Sequence, residues 1–131
     1  MTGSPANLHD YLDPSCLAAR QSIYRWQAPP LDLPGEVAAL LAEVDGVVAD
    51  VGYGNGPCAE RLRGDRRVIT VDLSAETSPE VVADAQRLPL RTGSVHAVLA
   101  MHMLYHVPGI ALGADELRGV LRAGGVLYAF T

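Results

Sequence analysis

The chain has 131 residues, 49% of them hydrophobic, and its 10 Lys and Arg against 15 Asp and Glu give a formal net charge of −5. That length fits one domain with a modest core, and that apolar share is globular rather than disordered. The acidic balance disfavours a nucleic-acid partner, no apolar run approaches membrane-spanning length, and the two cysteines, Cys16 and Cys58, lie far apart without a metal-ligand pattern. Arg61, Arg63, Arg66 and Arg67 are the nearest thing to a basic patch, and Glu60, Asp65 and Asp72 beside them read it as a solvated face. The N-terminus lacks the basic-then-apolar order of a signal peptide, so the expectation is a reduced, cytoplasmic protein.

In chain order, Asp13-Pro14 caps a helix running to about residue 26, with Leu17, Ala18, Ile23 and Tyr24 on its apolar side. Ala28-Pro29-Pro30 is a linker, so residues 1–30 read as a helical segment and linker ahead of a core at 31–131. A second helix starts near Asp32-Leu33-Pro34; Val37, Leu40, Leu41 and Val44 give it an apolar stripe, and Asp45-Gly46 stops it. Val47, Val48 and Val51 suit a first strand buried on both faces, as in a parallel sheet. A short helix follows from Pro57 to about residue 63, then a second strand at 67–72 around the β-branched run V-I-T-V. Residues 80–83 read as a short third strand and 95–101 as a fourth, after the turn at 91–94. A helix over 110–122 buries Ala114, Leu117, Val120 and Leu121; Ala123-Gly124-Gly125 ends it, and 126–130 is the fifth strand. Strands alternating with helices predict an α/β fold with a doubly wound, mostly parallel sheet.

Between the first strand and the short helix stand Gly52, Gly54 and Gly56, which permit positive φ and let backbone approach a ligand without β-carbons in the way. With Pro57 at the helix start, this is a nucleotide-like ligand loop. A dinucleotide fingerprint needs its third glycine at position 57, where Pro57 stands, and no lysine is present for a phosphate P-loop. D-V-G-Y-G-N-G at 50–56 resembles instead the first motif of class I S-adenosylmethionine (SAM)-dependent methyltransferases. V-I-T-V-D-L-S at 68–74 resembles the second motif, a strand ending in an acid. A carboxylate there overhangs the crevice where doubly wound sheets bind ligands, and its two oxygens can accept from two ribose hydroxyls, of SAM or of NAD. A-D-A-Q-R-L-P-L at 83–90 resembles the third landmark. The segment from Arg91 to Pro108 and the run L-R-A-G-G-V-L-Y-A match the type-11-like subgroup, so the likeness covers roughly residues 47 to 131.

The resemblance implies a Rossmann-like sheet in the order 3-2-1-4-5, SAM as cofactor, and methyl transfer to a small-molecule acceptor. It assigns the ribose to Asp72 with Leu73 after it, the adenine amino group to Asp84, and a ring nitrogen to the backbone N–H of Ala85. Met101, ending the fourth strand, would line the same pocket. Asp50 either caps the loop or meets the charged amino acid end of the ligand, and the Tyr53 ring either points away from the ligand or covers part of it. No catalytic residue is required by the chemistry; His102 and His106 border the reaction cleft as weak general-base candidates, with packing the competing role. They fall four apart without a third ligand, so no metal is expected.

Two departures from the family pattern stand out. The family inserts a full helix between the second and third strands, where this chain has only residues 74–79; the third strand is then either vestigial or reached by an extended loop, with a more open adenine side. The chain also stops as the fifth strand ends, so the family's last two strands are expected to be lacking, and the apolar edge V-L-Y-A-F invites a dimer or a partner subunit. Two other readings stay open: a non-catalytic SAM-binding or interaction module, and an NAD-linked oxidoreductase domain.

Overall fold

The computed structural model describes residues 32–54 and 56–130. The expected helix at 13–26 and the linker after it lie outside the described residues. Five strands form one sheet in the spatial order β3-β2-β1-β4-β5, all pairs parallel. The strands are β1 (Val48–Val51), β2 (Val68–Asp72), β3 (Val81–Val82), β4 (Val95–Met101) and β5 (Leu121–Phe130). The helices are α1 (Leu33–Leu40), α2 (Pro57–Leu62) and α3 (Ile110–Val120). Among the described residues no helix is long and apolar enough to cross a membrane.

Central β1 is buried at all four positions, because α1 and α2 cover one face of the sheet and α3 the other. On the first face Val48, Val68, Ala97 and Leu99 pack against Val37, Leu41, Cys58 and Leu62; on the second, Ala49, Val51, Val71, Val98 and Ala100 meet Leu117 and Val120. Asp32 caps α1 as expected, its Oδ1 accepting from the Gly35 N–H at 3.2 Å. The stripe along α1 is narrower than its spacing predicts: Val37 and Leu41 are buried, while Leu40 is exposed. The helix ends four residues before Val44, so the sequence repeat outlasts the helix. Likewise α3 buries Gly113, Leu117 and Val120, but Ala114 is exposed. The glycine lets α3 sit closer, since a β-carbon at Gly113 would stand 3.0 Å from Val107 Cγ1.

The basic patch dissolves into structural partners. Arg66 Nη1 donates to the Leu41 and Val44 carbonyls at 2.9 and 2.7 Å, closing the end of α1. Arg67 forms a two-pronged pair with Glu80 at 2.8 and 2.7 Å, which holds that carboxyl below its usual range.

The short connection from β2 to β3 is a single 3-10 turn, Ala75–Thr77, and β3 is a two-residue strand. Ser74 caps the turn, with its Oγ accepting from the Glu76 N–H at 3.3 Å, and Ser78 at φ 54° reverses the chain. Thr70 Oγ1, buried in β2, accepts from the Glu80 N–H at 2.9 Å and guides the return. Val71 and Asp72 then pair with Val81 and Val82. A parallel crossover this brief is feasible because so little strand is paired.

Candidate functional site

The site lies at the C-terminal ends of β1, β2 and β4, where the glycine loop leaves β1. Gly52, Gly54 and Gly56 all adopt positive φ, at 73°, 57° and 76°. The space freed at Gly52 is not left open: a β-carbon there would stand 2.7 Å from Met103 Cβ, so the loop after β4 packs under the first glycine. At Gly56 the neighbour is Tyr53, whose Cε2 would stand 2.5 Å from an added β-carbon.

Tyr53 therefore folds back over its own loop. Its hydroxyl donates to the Thr77 carbonyl at 2.5 Å, tying the glycine loop to the turn after β2. The ring is thus directed to the β2–β3 connection. No sequence signal points to Thr77 as its partner, because the link exists only once the family's helix is replaced by a turn.

Asp72 ends β2 with both carboxylate oxygens engaged. Oδ2 accepts from the Gly54 N–H and Oδ1 from the Ser74 N–H, each at 2.9 Å. Its carboxylate thus holds the glycine loop and the following turn in fixed relation, with remaining lone pairs for further donors. Leu73 beside it is 47% exposed, an apolar surface next to the acid.

Asp50, the third residue of β1, is only 2% exposed. Burial, reinforced by the Asp72 charge, pushes its carboxyl up to about 7, against the backbone bond from Ala59 and the more distant Arg63 guanidinium. Among the described residues no Lys, Arg or His forms an ion pair with it. Cys58 on α2 shares that environment: burial and the Asp50 charge push its thiol up to about 12, which makes it an unreactive packing group.

Across the site, Ala85 is buried and Asp84 exposed. Asp84 Oδ1 accepts from the Gln86 N–H at 2.9 Å, an Asx turn that presents the Ala85 backbone. The Gln86 side chain donates back to Asp84 at 3.2 and 3.3 Å and accepts from the Gly109 N–H at 2.9 Å. Glu116 on α3 accepts from the Leu88 N–H at 2.8 Å and steadies the same loop. Gln86 and Glu116 carry no pattern of their own in the sequence.

Met101, half-buried, ends β4 opposite Phe130 of β5. His102 follows at φ 54°, its N–H donating to the Phe130 carbonyl at 2.6 Å and its ring meeting Phe130 edge-on at 4.8 Å. Burial lowers its basicity. His106 ends the turn Leu104–His106 with its ring 4.1 Å from Tyr105. His96, on β4, is structural: its Nδ1 accepts from the Val47 N–H at 3.1 Å. Among the described residues no three His, Cys, Asp or Glu side chains converge on a metal position.

The sequence profile of the methyltransferase domain matches residues 49–129, from the first strand through the fifth. The chain belongs to the methyltransferase domain family. The 3-2-1-4-5 sheet is that of class I SAM-dependent members. Among solved structures, an S-adenosyl-L-methionine-dependent methyltransferase from Methanococcus maripaludis matches with a TM-score of 0.75 and 15% identity over 98% of this chain and 66% of its own. The cyclase SpnF matches with a TM-score of 0.65 and 25% identity over 74% of this chain and 43% of its own. The methyltransferase of Haloferax volcanii in complex with the activator Trm112 matches with a TM-score of 0.63 and 22% identity over 88% of this chain and 57% of its own. The chain thus spans two thirds or less of the length of each of these structures. No curated protein sequence matches it.

Proposed function

We propose that the chain binds SAM over the ends of β1, β2 and β4 and transfers its methyl group to a small-molecule acceptor. The observation that carries this reading is the presence of two acids, Asp72 and Asp50, at the strand ends beside the glycine loop. Asp72 is fixed by two backbone amides at the strand end, where a ribose would meet it. Asp50 is a buried carboxyl, raised to about 7, with no cationic side chain paired to it among the described residues, and a cationic ligand beside it would stabilise its ionised form.

When bound, SAM supplies an activated methyl group on a sulfonium leaving group. The protein's own residues bind and align. Gly54 and Gly56 hold the loop open under positive φ, Asp84 accepts from the adenine amino group, and the Ala85 N–H faces a ring nitrogen. Leu73 and Met101 supply apolar walls. Alignment of donor and acceptor contributes most of the rate, and no proton need be moved for an already ionised or neutral amine acceptor. For a hydroxyl acceptor, the weak general-base candidates His102 and His106 would take the proton.

Calorimetry with SAM tests the binding step, and transfer of labelled methyl from SAM into the small-molecule fraction of a cell extract tests the reaction. Label in the protein or RNA fraction alone would overturn the acceptor class. A second reading is a SAM-binding module without turnover. Tight SAM binding with no transfer to any fraction would select it. Heat protection by NAD and not by SAM would revive the oxidoreductase reading. Under the methyltransferase reading, the edge strand β5, with Leu127 exposed, is where a second copy or a partner subunit would seat.

A further inference from the structure

We propose that Gln86 is a positioning residue that couples adenine recognition at Asp84 to the segment 102–108 bordering the acceptor side; this rests on the SAM-binding reading above. Its carboxamide is held at both ends. Nε2 donates to both Asp84 oxygens, at 3.2 and 3.3 Å, while Oε1 accepts from the Gly109 N–H at 2.9 Å. The orientation is fixed by chemistry: a flipped amide would set its oxygen against the carboxylate and its NH2 against the Gly109 N–H.

Gly109 is the residue that ends this segment and caps α3, its carbonyl accepting from the Gly113 N–H at 2.9 Å. A side chain at position 109 would displace the contact, since a β-carbon there would stand 2.5 Å from Gln86 Oε1. The other end of the segment is pinned by the bond from the His102 N–H to Phe130. Between the two pins lie Met103, packed under Gly52, and both histidines of the cleft. A rigid planar amide with one end on the adenine acceptor and the other on the segment's hinge transmits any shift of the Asp84 carboxylate directly to Gly109. When an adenine amino group donates to Asp84, it fixes the carboxylate that Nε2 bridges, and the amide is ordered with it.

Amide hydrogen exchange at Gly109 reads this coupling without any acceptor. The probe is S-adenosylhomocysteine, with its inosine counterpart as the ligand that lacks the adenine amino group. Exchange at Gly109 is expected to slow about fivefold with S-adenosylhomocysteine, because an ordered Asp84 makes the existing bond to Gln86 Oε1 open less often, and to stay unchanged with the inosine ligand. In Gln86→Leu the ligand still binds but the slowing is lost. Gly109→Ala, which pushes the amide away from the opposite end, gives the same loss and serves if Gln86→Leu fails to fold. Binding of S-adenosylhomocysteine with unchanged exchange at Gly109, or slowing that both variants retain, overturns the coupling while leaving the cofactor reading intact. No binding to the unaltered chain overturns both.

Discussion

Tyr53 and Thr77, 24 positions apart, are joined by a single hydrogen bond of 2.5 Å from phenol to backbone carbonyl. Together with Asp72, which grips Gly54 on one side and Ser74 on the other, it closes a ring of contacts around that carboxylate. Thr77 Oγ1 donates to the Ser74 carbonyl at 2.9 Å and completes the ring. A turn of three residues joins β2 to β3 here, and Tyr53 braces it against the glycine loop.

Tyr53→Phe tests that brace. It keeps the ring over Gly56 and removes only the hydroxyl, so folding stability should fall by about 1 kcal/mol and the SAM dissociation constant should rise several-fold. Chemical denaturation and calorimetry check the two effects; unchanged affinity would show that the loop holds its shape without Thr77.

Asp72→Ala is expected to be more severe. It strips acceptors from two loop amides as well as from the ribose, and affinity for SAM should drop by about a hundredfold or more. Calorimetry that finds affinity within a few-fold of the unaltered chain would remove Asp72 from the ribose role.

Asp50 predicts a pH dependence. Its folded-state carboxyl titrates at about 7 against an ordinary 3.8, so the folded chain holds a proton that the unfolded chain has lost. Stability of the unliganded protein should therefore fall as pH rises from about 4 to about 7, by roughly 4 kcal/mol in all, and level off above that. SAM binding should run the opposite way, weakening as pH falls below 7 and releasing a proton that calorimetry in buffers of different ionisation enthalpy detects. Asp50→Asn should flatten both profiles; a profile that persists in this variant would place the titration elsewhere.

Gly52→Ala combines a left-handed backbone with a clash against Met103, and should cost about 2 to 4 kcal/mol. Met103→Gly on the same background, which removes both the Cβ at 2.7 Å and the Cγ at 2.9 Å, should return the steric part and leave the backbone part. A double-mutant cycle of denaturation curves should show a coupling of about 1 kcal/mol or more; strict additivity would mean that the loop shifts to avoid the contact.

The alternation of apolar strands with glycine and proline punctuation made β1, β2 and β4 legible, because strands buried on both faces need continuous apolar runs. Val95 to Met101 matches its strand at both ends. The glycine loop and the acid after β2 were equally legible, since each is a local arrangement of backbone and one side chain. The apolar stripes of the helices were overdrawn: Leu40 and Ala114 sit at the right spacing, but α1 is too short and α3 too tightly seated at Gly113 for them to be covered. Tyr53–Thr77, Gln86–Gly109 and Glu116–Leu88 could not be read, because each joins side chain to backbone across segments whose approach only the fold determines.

The brevity of the β2–β3 connection has a consequence for the order of assembly. Pairing Val71 with Val81 closes a loop of 10 residues, whereas pairing Val48 with Ala97 closes one of 49. The longer closure costs about 1.4 kcal/mol more chain entropy, so the edge of the sheet that carries Asp72 and Tyr53 can form while β4 is still unpaired. The half of the cleft that would meet the cofactor is then a nearly local structure, and the half that would meet the acceptor is the last to be laid against it.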